Sequence, residues 1–425
     1  MMPEAQAQSA AKKSLVTEDW AVVVLGFAII IVLVAGFLVP VPQFGWKSLD
    51  DLLITVFSIE NLLRILLQFL FVFVAAVAAT FLTGKPLKSC LQVFPVVYGL
   101  TLIALILAGN SEIKALNLEA VIFSLAIGLL IGNLFHLPEW FRAALSTELF
   151  VKIGLVLLGT SIIFGDILKA GYLGLIQALV VVVSVWYFAY WLCKKLRIDD
   201  ELTMMISSAV SICGVSAAIA TAGAIKGDPK KLSYVISLVL VTAIPMMILM
   251  PAIASYFGFK EEVTGAWLGG SIDTTGAVVA SGTLVGDTAL KFSTIVKFSQ
   301  NVLLGLAAFA ISVYWTYTNK EGNKANEQKP GLAVIWDRFP KFIIGFILAS
   351  ILFSFFLNAS TVNNVKESVK SIQTLWFVLA FTSIGLETKF SDLFNSETKR
   401  PLYAFLLAQV FNIIVTLLIA SLLFG

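Results

Sequence analysis

The chain has 425 residues, of which 59% are hydrophobic and only 13% are charged, and its formal net charge is +3. Apolar runs of about twenty residues recur along it, which predicts an all-α polytopic membrane protein and excludes a soluble globular fold. The excess positive charge comes mainly from loop Lys and Arg, where it orients membrane helices and does not indicate nucleic-acid binding. Three unclustered cysteines and a single histidine argue against structural zinc, haem or a histidine-based triad, so we expect no cofactor.

The predicted elements begin with a polar tail over residues 1–19. It contains Lys12 and Lys13 and shows no signal-peptide cleavage site, so we expect it to lie in the cytoplasm. Three apolar helices within residues 20–117 precede a predicted transporter core over residues 118–425. About eleven ordinary spans are predicted, near residues 20–39, 62–82, 90–108, 118–135, 148–164, 172–193, 233–256, 293–317, 337–358, 370–388 and 401–424.

Two further apolar segments, 203–223 and 263–283, are rich in Gly, Ala, Ser and Thr where the other spans are rich in Leu, Val, Ile and Phe. We interpret them as broken helices. Non-helical backbone survives at membrane depth only where it lines a cavity or is buried in protein, so the breaks predict a solute-binding site. Their length permits either an interrupted crossing or a re-entrant hairpin. The three lysines within residues 226–231 favour the hairpin, because it keeps them in the cytoplasm.

The two broken segments also match each other at an offset of sixty residues. The identical pairs are Ser211/Ser271, Ile212/Ile272, Ala217/Ala277 and Ala220/Ala280. This match predicts an inverted-topology repeat whose broken elements enter from opposite faces and meet near the middle of the membrane, an arrangement typical of secondary transporters.

Several motifs resemble those of the YeiH-like family of bacterial inner-membrane proteins, which are commonly labelled sulfate exporters. The matching residues are Gly154 to Gly159, Ser211-Ile212-Cys213-Gly214, the frame from Gly270 to Gly282, Lys297, and Gly385-Leu386-Glu387-Thr388. The resemblance covers roughly residues 118 to 425 and implies an exported oxyanion such as sulfate as the substrate. The chain departs from the family at Asp273 and Thr274, where a His-Glu pair is usual, and at Gln300, where an Arg is frequent.

The chemistry at the breaks suits an oxyanion. A broken helix offers unpaired N–H groups and the positive end of its dipole, and Gly214 and Gly276 would let a ligand approach the backbone closely. We therefore expect Gly214→Leu to block a ligand without preventing folding. The alternative is that the small residues only permit close helix packing. The candidate substrate-binding residues are Ser211, Ile212, Cys213, Gly214, Ser216, Ser271, Asp273, Thr274, Thr275, Gly276, Lys297 and Asn301.

Two charged residues stand out in these apolar segments. Asp273 lies inside one, where a charge costs at least ~3 kcal/mol. It could carry a proton coupled to substrate movement, bind Na⁺, or cap the half-helix that follows it. Lys297, with Asn301 on the next turn, could project toward the site or extend to the outer interface.

These features predict a secondary active transporter that moves a small anion across the bacterial inner membrane by alternating access, with H⁺ or Na⁺ as a coupling ion. The alternatives are a cation/proton antiporter centred on Asp273 and an anion channel. The chain has no Walker motif, no Gly-x-Ser-x-Gly motif and no paired intramembrane aspartates, so we do not expect an enzyme. Membrane lipid is an expected partner, and a homodimer remains open.

Overall fold

A computed structural model of the protein describes residues 15–115, 120–318, 336, 339–388 and 399–425. These residues form helices and contain no strand beyond one isolated bridge between Trp46 and Asn110. Eight of the described helices are long and apolar enough to cross a membrane. The chain is therefore an all-α, multi-pass membrane protein, as the sequence predicts. Most of the predicted N-terminal tail lies outside the described residues.

The described chain packs as two compact units, Met1–Phe164 with Lys341–Glu387 and Gly165–Pro340 with Thr388–Gly425. The main helices of the first unit are α1 (Glu18–Val34), α2 (Leu49–Asp51), α3 (Ile59–Leu82), α4 (Leu87–Ala108), α5 (Ser111–Ala115), α6 (Ala120–Leu134), α7 (Glu139–Ala144), α8 (Thr147–Leu158), α16 (Phe342–Ile351) and α17 (Ala359–Glu387). Those of the second are α9 (Phe164–Lys195), α10 (Asp200–Ser211), α11 (Val215–Ile225), α12 (Pro229–Tyr256), α13 (Glu261–Ser271), α14 (Thr275–Val285), α15 (Asp287–Thr318) and α18 (Arg400–Phe424). The predicted boundary between residues 117 and 118 stays a prediction.

Three of the eleven predicted spans have no counterpart among the eight described helices that are long and apolar enough to cross a membrane. They form α1, α6, and α16 with the π-helical turn Leu352–Phe356 that continues it. Helix α1 ends because Gly36 adopts a φ of +96°, a left-handed conformation that glycine tolerates. Hydropathy measures how apolar a window is and does not report where the backbone leaves the helix. The count of about eleven spans is therefore not confirmed among the residues that the structure describes.

Close helix contact through glycine organises the first unit. Helices α6 and α17 cross so tightly that a Cβ at Gly385 would lie 2.6 Å from the carbonyl oxygen of Leu125. Beside this crossing, the guanidinium of Arg142 donates to the carbonyl oxygens of Gly132 and Leu386, each at 2.7 Å. These carbonyls end α6 and α17 and have no partner within their own helices, so Arg142 satisfies both. The Gly-Leu motif at residues 385–386 thus serves packing here.

In the second unit, each broken segment folds back as a helical hairpin. The N–H of Asp228, just after α11, donates to Glu201 Oε2 at 3.1 Å, at the start of α10. In the second hairpin, a Cβ at Gly286 would lie 3.0 Å from Glu261 Oε2, so the end of α14 adjoins the start of α13. The structure therefore has two hairpins, as the lysines of the 226–231 loop favoured, and neither segment is a single interrupted crossing.

A single helix separates the two hairpins. Helix α12 has 28 residues, which at 1.5 Å per residue is about 42 Å and exceeds a hydrocarbon core of about 30 Å. The first hairpin closes at one end of α12 and the second opens at the other end. The hairpins therefore point toward each other from opposite ends of α12, and the inverted repeat stays a prediction.

Candidate functional site

The two hairpins meet at their breaks. Residues 212–214 interrupt the first and residues 272–274 interrupt the second. Gly214 has a φ of +61°, and a Cβ there would lie 2.7 Å from Val239 Cγ1 and 3.0 Å from Asp273 Cβ. The space beside Gly214 is therefore filled by protein. The expectation that Gly214→Leu would leave folding intact is wrong, because the added side chain would strike both neighbours.

Asp273 is the unusual group at this contact. The residue is only 1% exposed, and neither carboxylate oxygen has a hydrogen-bond partner among the described residues. The cap of α14 is instead Thr274, whose Oγ1 accepts from the N–H of Ala277 at 3.3 Å. The capping interpretation of Asp273 is therefore wrong. The ammonium of Lys297 acts on its carboxylate electrostatically, and the amide of Gln409 lies near enough to act as a weak donor to it, although outside normal hydrogen-bond geometry. A buried carboxylate without partners is costly, which favours a functional role for it.

Lys297 lies inside the site and does not extend to an interface. It is 1% exposed, and its ammonium donates to Ile212 O at 2.9 Å, Ile272 O at 2.8 Å and Gln300 Oε1 at 2.8 Å. An ammonium has three N–H bonds, so all three are used. Lys297 therefore joins the two breaks through their backbone and contributes its charge to the site without a free donor.

Two amide side chains repeat this bridging. Gln300 Nε2 donates to Ser211 O at 2.9 Å and to Gly270 O at 3.3 Å. Asn412 Nδ2 donates to Val210 O at 3.0 Å and to Ser271 O at 3.2 Å. Each bridging group holds one carbonyl from the end of α10 and one from the end of α13. Ile212 and Ile272, one of the pairs that match at an offset of sixty, thus share a donor, and Ser211 and Ser271 supply one bridged carbonyl each.

The remaining predicted residues divide between the site and its surroundings. Ser211 Oγ donates to Ser207 O at 2.7 Å, one turn back in its own helix, and the Ser216 side chain is exposed. Thr275 Oγ1 accepts from Asn301 Nδ2 at 3.3 Å. Buried oxygens without a partner among the described residues include Ser271 Oγ, Asn301 Oδ1 and Gln409 Oε1. Cys213 and Gly276 are buried beside the breaks.

The sequence interpretation missed the polar face of α18. Gln409 Nε2 donates to Ser271 O at 2.8 Å, and Thr416 Oγ1 donates to Asn412 Oδ1 at 2.8 Å. A signal was present, since residues 409, 412 and 416 are spaced by three and four and therefore share one face of an otherwise apolar helix.

The ends of the half-helices give the site its electrostatics. The C-termini of α10 and α13, which carry partial negative charge, meet the ammonium of Lys297. The N-termini of α11 and α14, which carry partial positive charge, begin next to Asp273. Gly214 has no side chain to cap α11, so the first-turn N–H groups of that helix lack an internal acceptor. Within the described ranges, no group of three or more His, Cys, Asp or Glu side chains could hold a metal ion.

The sequence model of the family described as conserved hypothetical protein 698 matches residues 92–404. A UPF0324 membrane protein of Rhodopirellula baltica is 41% identical over 350 residues, which cover 80% of this chain and 64% of that relative. One from Nitratidesulfovibrio vulgaris is 36% identical over 355 residues, covering 80% and 60%. One from Nitrosomonas europaea is 28% identical over 451 residues, covering 91% and 92%.

The chain thus spans less than two thirds of the length of the first two relatives. No solved structure matches it. The family match covers more than half of the chain, and it includes both hairpins and two of the three bridging residues, Lys297 and Gln300. The chain belongs to this family of conserved hypothetical membrane proteins, the UPF0324 proteins, which is the YeiH-like family that its motifs resemble.

Proposed function

We propose that the protein is a secondary active transporter that moves a small anion, with sulfate as the first candidate, and couples this movement to a proton on Asp273. The observation that carries the proposal is the buried carboxylate of Asp273, whose oxygens have no hydrogen-bond partner among the described residues. It lies where the half-helices α11 and α14 begin. Alternating access to a site of this kind is typical of transporters with discontinuous helices.

The breaks provide groups that suit an oxyanion. The first-turn N–H groups of α11 have no cap, and the dipoles of α11 and α14 place partial positive charge at the same point. Thr275, partly exposed beside the break, adds a hydroxyl without a fixed charge. A tetrahedral oxyanion accepts several hydrogen bonds at once and would satisfy donors from both half-helices.

The charges of Lys297 and Asp273 couple the binding of a proton to the binding of an anion. Lys297 contributes one positive charge and ionised Asp273 one negative charge, so the site is close to neutral when both are charged. A proton on Asp273 leaves a net positive charge, which attracts an anion. Binding of an anion and binding of a proton therefore favour each other, which is the linkage that a proton-coupled transporter requires.

A cation/proton antiporter is the second candidate, and a specific observation favours it. The buried groups without a partner among the described residues are mostly oxygens, including those of Asp273, Ser271 and Asn301. Oxygen atoms of this kind coordinate Na⁺ in other transporters with broken helices. The ligand test must therefore compare anions with cations.

We expect sulfate to raise the thermal unfolding temperature of the purified protein in a saturable way. A ligand at one hundred times its Kd stabilises the folded state by about 2.7 kcal/mol. Sulfate also stabilises proteins through exclusion from their surface, an effect that grows steadily with concentration. The measurement is a titration with sodium sulfate beside sodium chloride and choline sulfate at matched ionic strength. A shift that follows Na⁺ with either anion would support the antiporter instead.

The proposal includes an orientation, with the protein in the bacterial inner membrane and its N-terminus in the cytoplasm. Residues 226–231 then lie inside and the loop before α13 lies outside. We expect a cysteine at exposed Lys230 to resist an impermeant thiol reagent in intact cells and a cysteine at exposed Lys260 to react, in a background without the native cysteines. Asp228, in the same loop, is left unchanged because its side chain caps α12. Labelling with the opposite pattern would reverse the orientation.

A further inference from the structure

The three bridging hydrogen-bond pairs form a clasp, defined here as the side chains of Lys297, Gln300 and Asn412. Each member bonds one carbonyl from the α10 end and one from the α13 end. The last carbonyls of a helix have no internal donor, and a buried carbonyl without a donor is costly. By bridging, one side chain satisfies two such carbonyls and ties two helix ends together.

The members of the clasp come from different helices. Lys297 and Gln300 lie on α15, one turn apart, and Lys297 also donates to Gln300 Oε1 at 2.8 Å. Asn412 lies on α18 and is held by Thr416. Two further helices thus fix the ends of both hairpins. The half-helices α11 and α14 start within three residues of the nearest bridged carbonyls, so the clasp also fixes the positions of their N-termini.

We infer that Lys297 is a positioning residue that keeps the two hairpin breaks in register and makes the hairpins move as one body. Its ammonium has no free N–H bond and does not contact the anion. It acts on the anion through its charge and through the placement of the α11 and α14 N-termini. The inference about register stands on the hydrogen bonds alone, and its effect on the anion rests on the proposed function.

Hydrogen exchange in the absence of any anion tests the clasp. Lys297→Met removes the ammonium and keeps a long apolar chain. We expect exchange at the amides of residues 210–217 and 270–278 to accelerate together, by more than about tenfold, which corresponds to about 1.4 kcal/mol. The control is Lys291→Met, which removes a lysine from the same helix whose partner is Asp166 at a partly exposed position. This control should leave both sets of amides unchanged.

A second variant keeps the test decisive if Lys297→Met does not fold. Gln300→Met removes one bridge and one of the three acceptors of the Lys297 ammonium but keeps the ammonium and its own bridge, and we expect a smaller joint acceleration at the same amides. Acceleration in one hairpin only, or in neither, would overturn the inference. Lys297→Arg retains donors and charge, so it should restore slow exchange at least in part if the arginine is accommodated.

Anion titrations of the same variants separate positioning from proton binding. In Gln300→Met, the sulfate-induced stabilisation should weaken while its dependence on pH persists, because Asp273 is still present. Loss of the pH dependence in this variant would contradict a positioning role. If sulfate does not stabilise the wild-type protein, the proposed function fails, whereas the exchange results remain a valid test of the clasp.

Discussion

Replacing Asp273 with Asn is expected to remove the pH dependence of sulfate binding while leaving the protein folded. The amide keeps the shape of the side chain and cannot ionise. In the wild-type protein, sulfate should bind most tightly at low pH and weaken as the pH rises, because the carboxylate then repels the anion. Two charges about 6 Å apart at an effective dielectric constant of about 20 interact by about 2.8 kcal/mol, or about a hundredfold in Kd. The measurement is sulfate-induced stabilisation between about pH 5 and pH 8.

Asp228→Asn is the matched control for this experiment. It makes the same carboxylate-to-amide change at the exposed N-cap of α12, where Asn also caps well. This control should retain the wild-type pH profile. If Asp273→Asn also retains that profile, Asp273 is not the proton carrier. If the variant instead loses a stabilisation that depends on Na⁺, the antiporter becomes the better description.

The second large effect is expected at Gly214. Replacing it with Ala should lower the free energy of unfolding by about 2 to 6 kcal/mol, because a backbone with φ +61° and ψ −113° costs about 1 to 3 kcal/mol for a residue other than glycine and overpacking about 1 to 3 kcal/mol. The added Cβ would lie 2.7 Å from Val239 and 3.0 Å from Asp273. Chemical unfolding in detergent measures this loss, and Gly214→Leu should lose more.

Gly258 provides the control for Gly214. Its φ is +66°, close to that of Gly214, but a Cβ there would meet nothing within 4 Å. Gly258→Ala should therefore show only the backbone cost of about 1 to 2 kcal/mol. The difference between the two alanine variants reports the contact between the breaks together with the more strained backbone of Gly214. Equal losses would mean that this contact is loose enough to accept a methyl group.

The sequence predicted the position of both breaks. The small residues of segments 203–223 and 263–283 exposed the interruptions, and Ser211 and Ile212 with their counterparts sixty residues later mark the carbonyls that the clasp bridges. The sequence did not predict the roles of these residues correctly. Ser211 was chosen for its hydroxyl, yet its hydroxyl bonds within its own helix and its carbonyl does the bridging.

The reason is that a backbone carbonyl has no signature in a sequence. Every residue carries one, and only the path of the chain decides which carbonyls lack a helical partner. The side chains that donate hydrogen bonds to these carbonyls can in principle be recognised in a sequence. Lys297 was identified, whereas Gln409 and Asn412 lie on α18, more than a hundred residues further along the chain and outside every quoted motif. A search for polar faces in the other apolar helices would have found them.

The predicted number of spans is not confirmed among the described residues, for a related reason. Apolar windows over 20–39, 118–135 and 337–358 are long enough to cross a membrane, but the helices within them end early or change to a π-helical turn. Hydropathy also could not decide whether the two broken segments cross the membrane or fold back. The structure shows that they fold back, because their ends are joined by specific contacts such as that between Asp228 and Glu201.

The short arms of the hairpins determine how much of the membrane voltage acts on an ion at the breaks. Helix α10 has 12 residues and α13 has 11, or about 18 Å and 16 Å, roughly half of a hydrocarbon core of about 30 Å. An ion held where the arms meet has therefore crossed about half of the electric field from either face, which is worth about 1.2 kcal/mol per charge at 100 mV. In the proposed function, sulfate that moves with one proton carries a net charge of −1. A voltage that is negative inside would drive this complex outward, in two steps of similar size.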